Sequence, residues 1–195
     1  MQRKVYTELS EILKPEHTAL VIWDVQKMLL NNIYNREDFL ENLNKLINKA
    51  REKDIPVFFT KITPLPPAFE SPSRKYSSSK MKFNMSQLPN EMFDLAIKLE
   101  KNDIVINKNT ASIFIGTNFE MMARNAGIET ILIAGIATEI GVESTARDAS
   151  NRGFYVVVDS DASSSGDKEA HERSIQNMKK LFDVLSTEEI LKILV

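Results

Sequence analysis

The chain has 195 residues, no cysteine, and 25 basic against 27 acidic residues, which give a formal net charge of −2 at pH 7. This length fits one domain over residues 1–195, and the absence of cysteine excludes disulfides, thiolate metal sites and thiol catalysis. The mixed charges leave no basic surface for nucleic acid, and no apolar run is long enough for a membrane span or a signal peptide. We therefore expect a cytoplasmic protein with neither nucleic acid nor a membrane as its partner.

Apolar runs of strand length alternate along the chain with longer stretches of helical period. This alternation predicts βαβ units and an α/β fold with a parallel sheet. Most of the runs are apolar throughout, which is typical of strands covered on both faces. The six predicted strands are Ala19 to Trp23, Val57 to Thr60, Ile104 to Ile106, Thr130 to Ala134, Tyr155 to Val158 and Phe182 to Leu185.

Helices are predicted between these strands. The first has a single apolar stripe, made of Phe39, Leu43, Leu46, Ile47 and Ala50. Residues 90–103 predict another packing helix through Phe93 and Ile97. Two later helices are predicted to end at the glycines Gly127 and Gly153. The last two helices are predicted to begin at capping side chains, Asp167 for one and either Ser186 or Thr187 for the other.

The segment from Ile62 to Pro89 does not fit this alternation. It holds five of the seven prolines and many serines, so it predicts a long surface loop. Loops of this length in compact domains are typically lids, binding loops or connections without regular structure. Two interpretations stay open at this point: a lid or partner-contacting arm, and an insertion without a function of its own.

Three features with chemical potential lie at carboxyl ends of predicted strands. They are Asp24 after the first strand, Lys108 after the third, and the turn from Gly135 to Gly141 after the fourth. Ligands of open α/β sheets bind beyond these strand ends, and opposite charges that are partly desolvated there tune each other's pKa values. Taken singly, Asp24 could cap a turn and Lys108 could be a solvated strand end. Their convergence on one edge predicts a functional site.

Three sequence blocks resemble the motif regions of the isochorismatase-like hydrolases, also called cysteine hydrolases. The blocks are VIWDVQ, KNTASIFIGT from Lys108 to Thr117, and GIATEIGVESTARDA followed by RGFYVVVDSDASSS. The resemblance covers roughly Ala19 to Ser165 and implies a three-layer α/β/α fold with a central, mostly parallel six-stranded sheet of Rossmann-like topology. It also implies a small-molecule substrate, no cofactor and a homo-oligomer, either a dimer or a tetramer. The His-rich motif of nicotinamidases is missing, so no metal is expected.

The family's site is a triad of Asp, Lys and Cys. By position, Asp24 matches the acidic residue of the triad and Lys108 the basic residue, whereas Gly141 stands where the nucleophilic cysteine should be. The resemblance also implies a cis peptide between Ile136 and Ala137, with the N–H groups of Ala137 and Gly141 directed at an oxyanion. Glycine cannot form the acyl-enzyme of the amidase members.

The resemblance further implies a substrate pocket that includes Gln26, Leu29 and Thr138. Thr138 and Ser144 carry the hydroxyls nearest to the nucleophile position. Neither occupies that position, and no histidine is expected to be placed to activate them. The two histidines, His17 and His171, are expected to be structural or on the surface.

In the isochorismatase branch of the family, glycine naturally replaces the cysteine because vinyl-ether hydrolysis needs no covalent intermediate. By this resemblance Asp24 would protonate the enol-ether carbon, Lys108 would hold the substrate carboxylate, and water would add. Asp24 would have to stay protonated, which requires burial to outweigh the neighbouring Lys108. Ala137 and Ile62 stand where isochorismatases carry a tyrosine and a glutamine, so the substrate stays open.

Our first hypothesis is a thiol-independent hydrolase with Asp24 as general acid or base and Lys108 as its electrostatic partner. The alternative is a catalytically inactive family member that serves as a small-molecule-binding or assembly module. A third reading, a flavodoxin-like nucleotide binder, lacks both a Walker-type phosphate loop and a GxGxxG after the first strand. The structure of the space above Gly141 distinguishes the first two hypotheses. An open pocket there favours the hydrolase, and a space filled by side chains favours the inactive module.

Overall fold

The computed structural model describes residues 4–80 and 88–194. Six strands form one sheet in which every neighbouring pair is parallel, as the alternating pattern predicts. The strands are β1 Thr18–Trp23, β2 Val57–Ile62, β3 Ile104–Lys108, β4 Thr130–Ile136, β5 Tyr155–Ser164 and β6 Asp183–Leu185. Their order across the sheet is β3-β2-β1-β4-β5-β6. β4 and β5 extend beyond their predicted ends because their last residues continue the pairing, Ile136 with Ser164.

Helices cover both faces of the sheet and complete three layers. The helices are α1 Leu9–Ile12, α2 Lys27–Leu30, α3 Arg36–Glu52, α4 Pro72–Lys80, α5 Phe119–Asn125, α6 Glu143–Asn151, α7 Lys168–Met178 and α8 Thr187–Ile193. Successive strand residues point to opposite faces, so each strand contributes to two apolar cores. One core joins the sheet to α3 and α8, and the other joins it to α5, α6 and α7. None of the helices in the described ranges is long and apolar enough to cross a bilayer.

The strand order changes direction between β1 and β4, the point where ligands bind in open α/β sheets. The chain first builds outward from β1 through β2 to β3, and then returns to β4 on the other side of β1. The crossovers on the two sides cover opposite faces, so the loops after β1 and β4 separate there. Asp24 and the turn after Gly135 leave the sheet at this point.

The predicted helix boundaries are largely confirmed. The five stripe residues of α3 are buried against the sheet. Gly127 and Gly153 follow α5 and α6 with φ of 72° and 79°, the left-handed region in which glycine is favoured. The Asp167 carboxylate accepts the Ala170 N–H at the start of α7, and Ser186 rather than Thr187 caps α8.

Two predictions about residues 62–103 are wrong. The segment from Thr63 to Lys80, which we call the arm, is not an irregular loop, because it contains the helix α4; residues 81–87 lie outside the described residues. The predicted helix over residues 90–103 is a single 3₁₀ turn, Asn90–Phe93. After it the chain is extended, since the Ala96 N–H donates to Val25 O at 2.8 Å and Leu95 bridges Gln26. Backbone pairing with the segment after β1 overrides the helical period.

Candidate functional site

Asp24 and Lys108 form an ion pair at the carboxyl edge of the sheet. Lys108 Nζ donates to Asp24 Oδ2 at 2.6 Å, although Lys108 ends β3 and Asp24 follows β1, and β2 separates these two strands. From β2, the Thr60 hydroxyl donates to Asp24 Oδ1 at 2.5 Å, and the Asp24 N–H donates back to Thr60 Oγ1 at 2.9 Å. The side chains of Lys108 and Asp24 are only 1% and 2% exposed. The three adjacent strand ends therefore hold one sealed polar network.

Burial controls the ionisation of this pair. It raises the pKa of Asp24 above its usual value, while Lys108 and then the Thr60 hydroxyl act in the opposite direction. Asp24 has a φ of 43°, in a left-handed region that Asp tolerates better than most residues. This backbone conformation turns the Asp24 N–H toward Thr60, so the strand end itself fixes the position of the carboxylate.

In the turn after β4 the Ile136–Ala137 peptide is cis, as the resemblance implies. It continues as one π turn, Thr138–Val142, directly into α6. The Gly141 N–H donates to Ala137 O at 3.0 Å, and the Ile140 and Val142 N–H groups approach the same oxygen at 3.2 and 3.3 Å. The Gly141 N–H therefore closes the turn and does not face an open pocket, as an oxyanion donor would.

The side chain of Trp23 fills the space above Gly141. A Cβ atom added to Gly141 would lie 1.5 Å from Trp23 Nε1, 1.9 Å from Cε2 and 2.4 Å from Cδ1. Any side chain at position 141 would overlap the indole ring, whose centroid lies 3.9 Å from Lys108 Nζ. The indole thus occupies the volume that a nucleophilic side chain at position 141 would need.

A second glycine lets Trp23 take this place. Gly135 pairs with Trp23 in the sheet, and a Cβ atom there would lie 2.2 Å from Trp23 O. Gly135 also has a φ of 128°, which side chains rarely adopt. Trp23 is thus held on its backbone by Gly135 and on its ring by Gly141. Because Trp23, Asp24, Lys108 and Gly141 are all buried, the space above Gly141 is filled and closed.

The implied pocket residues lie in packed surroundings. The Gln26 amide is buried and bonds to the backbone: Nε2 donates to Phe93 O at 2.6 Å and to Ile62 O at 3.2 Å, and Oε1 accepts the Ile62 N–H. Gln26 thereby joins both ends of the excursion that contains the arm. Leu29 packs half-buried against the α3 core, and Thr138 is completely buried. Their assignment to a substrate pocket stays a prediction.

His171 lies beside the Thr138 hydroxyl but is not placed to activate it. Thr138 Oγ1 donates to Ser164 O at 3.1 Å and lies 2.8 Å from His171 Nδ1. Since the hydroxyl proton is used on Ser164, Nδ1 carries the imidazole proton and donates to Thr138. Burial lowers the pKa of His171 against the opposing influence of Glu139 and Glu172. His171 is thus a neutral hydrogen-bond donor to the hydroxyl and not a base that activates it.

Sequence reasoning missed Trp23 and Thr60 as members of this site. Both signals were present: a large aromatic directly before Asp24, opposite the unusual glycine at 141, and a hydroxyl at the predicted end of the strand beside β1. His17 lies at the other edge of the sheet, stacked on the Tyr6 ring. Within the described parts of the chain no three metal-ligating side chains are grouped, and the absence of a metal stays a prediction.

Comparisons with known proteins agree with this architecture. Residues 18–189 match the isochorismatase domain family. The chain is 34% identical over 191 residues to the isochorismatase family protein YecD of Escherichia coli O157:H7, covering 93% of this chain and 98% of YecD. It is 24% identical over 160 residues to nicotinamidase 3 of Arabidopsis thaliana, covering 82% and 79% of the two chains. A cysteine hydrolase structure from Pseudomonas syringae pv. phaseolicola 1448A aligns with a TM-score of 0.86 at 19% identity, covering 100% and 98%. The chain therefore belongs to the isochorismatase family of hydrolases.

Proposed function

We propose that this chain is a non-hydrolytic member of the isochorismatase family and serves as an assembly module. One observation carries the proposal: the Trp23 indole lies where the side chain of residue 141 would be. The fold and the turn are retained, but the place of the reacting group is part of the packed core. This supports the second of the two hypotheses that the sequence leaves open.

Covalent catalysis needs a nucleophile, a donor to the oxyanion and room for the substrate. Position 141 supplies no nucleophile, and its N–H is bonded within the turn. A reacting carbonyl must come within about 3–3.5 Å of the attacking atom. The indole already lies inside that distance of position 141, so a substrate at this place would overlap Trp23.

The Asp24–Lys108 pair then has a structural role. It links the carboxyl ends of β1 and β3 across β2, with Thr60 of β2 as the connecting hydroxyl. Removing the Lys108 charge would leave the Asp24 carboxylate buried without its counter-charge, which typically costs about 3–5 kcal/mol. A chain that no longer uses the pair for chemistry would therefore still need it for folding.

The test is a turnover assay of the purified full chain against nicotinamide, other small amides, isochorismate and simple enol ethers. A nicotinamidase assayed in parallel serves as the positive control. We expect no product above the protein-free blank, for the wild type and for Asp24→Asn alike. Turnover that disappears in Asp24→Asn would overturn the proposal.

Thiol-independent hydrolysis stays as a second candidate because burial raises the pKa of Asp24, as an acid catalyst requires. In this mechanism Asp24 donates the proton, Lys108 holds an anionic group of the substrate, and water completes the hydrolysis. Trp23 would first have to leave its place above Gly141. This candidate predicts that Trp23→Ala raises turnover of an enol ether, whereas the leading proposal predicts none in either protein.

A further inference from the structure

A surface groove of about 410 Å³ lies at the edge where the strands begin, which we call the amino edge. It lies between the end of α6, the start of β5 and the turn that joins α7 to β6. Its lining includes Phe154, Val156, Lys179, Lys180, Leu181 and Asp183. Sites for small molecules typically have volumes of about 300–1,000 Å³. Tyr155 of the lining and Ser163, the partner of Gly135, lie roughly 25 Å apart along β5, so the groove is separate from the closed site of Asp24 and Gly141.

The floor of the groove is the end of the apolar core beneath α5, α6 and α7. Phe154 and Val156 belong to this core and are almost completely buried. Arg124 Cζ lies 3.8 Å from the centroid of the Phe154 ring and holds the ring in place. Leu181, on the same lining, is 57% exposed. An apolar ligand that covered Leu181 would therefore remove apolar surface from water and extend an existing core.

Two ammonium groups stand beside this apolar floor. Neither Lys179 nor Lys180 forms an ion pair or a side-chain hydrogen bond with any of residues 4–80 and 88–194. Glu189, whose charge Lys179 influences, already accepts the N–H and the hydroxyl of Ser186 at 2.8 and 2.7 Å. Asp183 is the third charged residue of the lining and is exposed at the start of β6. The lining therefore has a surplus of one positive charge.

The end of α7 does not neutralise the two lysines. A helix end has partial negative charge on those of its last C=O groups that lack a partner. In α7, three of the last four C=O groups accept N–H groups of the turn that follows, at 2.9–3.2 Å: those of Ile175, Asn177 and Met178. The ammonium groups of Lys179 and Lys180 are thus available to an anion from outside the chain.

We propose that the groove at the amino edge binds a small monocarboxylate with an apolar body, such as an aromatic or branched-chain acid. The carboxylate lies between Lys179 and Lys180, where it accepts charge-assisted hydrogen bonds. The apolar body lies on Leu181 and Phe154. Asp183 opposes further negative charge, so the groove favours a monocarboxylate over inorganic phosphate or a dicarboxylate. This ligand site is independent of the proposed assembly function and of the closed space above Gly141.

The first experiment titrates the ¹⁵N-labelled full chain with benzoate and follows the amide resonances by NMR. We expect saturable shifts for residues 154–156 and 179–183, with a dissociation constant of about 0.1–1 mM, as is usual for a ligand of this size. Benzyl alcohol has the ring without the charge, and acetate has the charge without the ring. Both should bind at least about tenfold more weakly than benzoate, and so should inorganic phosphate.

The second experiment removes the two charges. Lys179→Gln with Lys180→Gln should raise the benzoate dissociation constant about tenfold, since two exposed charge contacts are lost. The matched control is Lys98→Gln with Lys101→Gln, which removes the same charge from exposed positions outside the groove. This control should bind benzoate as the wild type does.

A third pair of variants tests the apolar contact. Leu181→Ser should weaken benzoate several-fold but leave acetate unchanged. Leu99 is 40% exposed and lies outside the groove, so Leu99→Ser should change neither ligand. All four variants alter exposed side chains, and their amide spectra report directly whether the fold is retained.

Shifts that do not saturate, or that lie only outside residues 154–156 and 179–183, overturn the site. Benzyl alcohol that binds as tightly as benzoate overturns it as well, and so does a dissociation constant that the loss of Lys179 and Lys180 leaves unchanged. Turnover in the substrate panel would remove the non-hydrolytic proposal without moving the benzoate shifts from the amino edge. The two proposals therefore fail separately.

Discussion

The contact between Trp23 and position 141 predicts how Gly141→Ala changes the free energy of unfolding. Two physical rules give opposite signs for this change. Gly141 lies in a helical turn without a positive φ, and exchanging glycine for alanine in a helix usually stabilises by about 0.5–1 kcal/mol. The structure predicts the opposite for Gly141→Ala. The new Cβ would lie 1.5 Å from Trp23 Nε1, and a normal contact of about 3.5 Å requires the indole to move by about 2 Å.

The surroundings of Trp23 resist this movement. Its backbone lies against Gly135, its ring lies 3.9 Å from Lys108 Nζ, and the residue is 2% exposed. Overpacking a core in this way costs about 1–3 kcal/mol, and we expect the upper end of that range. After subtraction of the helix preference, Gly141→Ala should lower the free energy of unfolding by about 2 kcal/mol, or Tm by about 4–8 °C.

A double-mutant cycle tests the cause. Trp23→Ala alone should cost about 3–5 kcal/mol through the cavity that it leaves. In that background Gly141→Ala has room, and it should stabilise by about 0.5–1 kcal/mol. The coupling free energy between the two positions is then about 3 kcal/mol, the upper range for residues in contact.

The cycle is measured by urea unfolding at one protein concentration and followed by far-ultraviolet circular dichroism, because Trp23 is the only tryptophan and fluorescence would be lost with it. If Gly141→Ala stabilises the wild type, or if the two changes are additive, the indole does not occupy the place of the missing side chain. The explanation of the closed site would then be wrong.

Three further predictions concern the buried polar groups. Lys108→Met leaves the Asp24 carboxylate buried without its counter-charge, so it should lower the unfolding free energy by about 3–5 kcal/mol where Asp24 is ionised. The loss should become smaller as the pH falls and Asp24 takes up a proton, and a loss that does not change with pH in urea titrations would contradict the ion pair. Burial raises the pKa of Asp159 to about 7. The pKa of Asp159 in the unfolded chain is about 3.9, so the stabilisation by its bound proton is complete below about pH 4 and is lost as the pH rises through about 7. Asp159→Asn should therefore flatten the dependence of the unfolding free energy on pH over this range. An unchanged slope in the variant would contradict the raised pKa of Asp159. Gln26→Ala leaves backbone groups at both ends of the arm excursion unpaired, so limited proteolysis should cut the arm faster, whereas the exposed Gln176→Ala should behave as wild type.

Much of the architecture follows from local rules that the sequence displays. Strands that are apolar throughout predict a sheet covered on both faces, since alternate residues point to opposite sides. Gly127, Gly153 and Asp167 mark helix ends because each requirement is met within one turn of the chain. The helix expected around Phe93 did not form, because its apolar period competes with backbone pairing to Gln26, a contact that periodicity cannot represent.

By itself, the sequence determined the α/β class, the family resemblance, and that Asp24, Lys108 and the glycine-containing turn leave strands at the same edge. Only the tertiary structure decided that the Trp23 ring lies on Gly141, and that the ion pair beside it is sealed. Strand alternation assigns Trp23 to one face of the sheet, but what meets it there depends on the crossover that brings β4 beside β1. The overlap of two side-chain volumes from distant segments has no local signal, because only the packed arrangement of the strands and helices determines which atoms share a space.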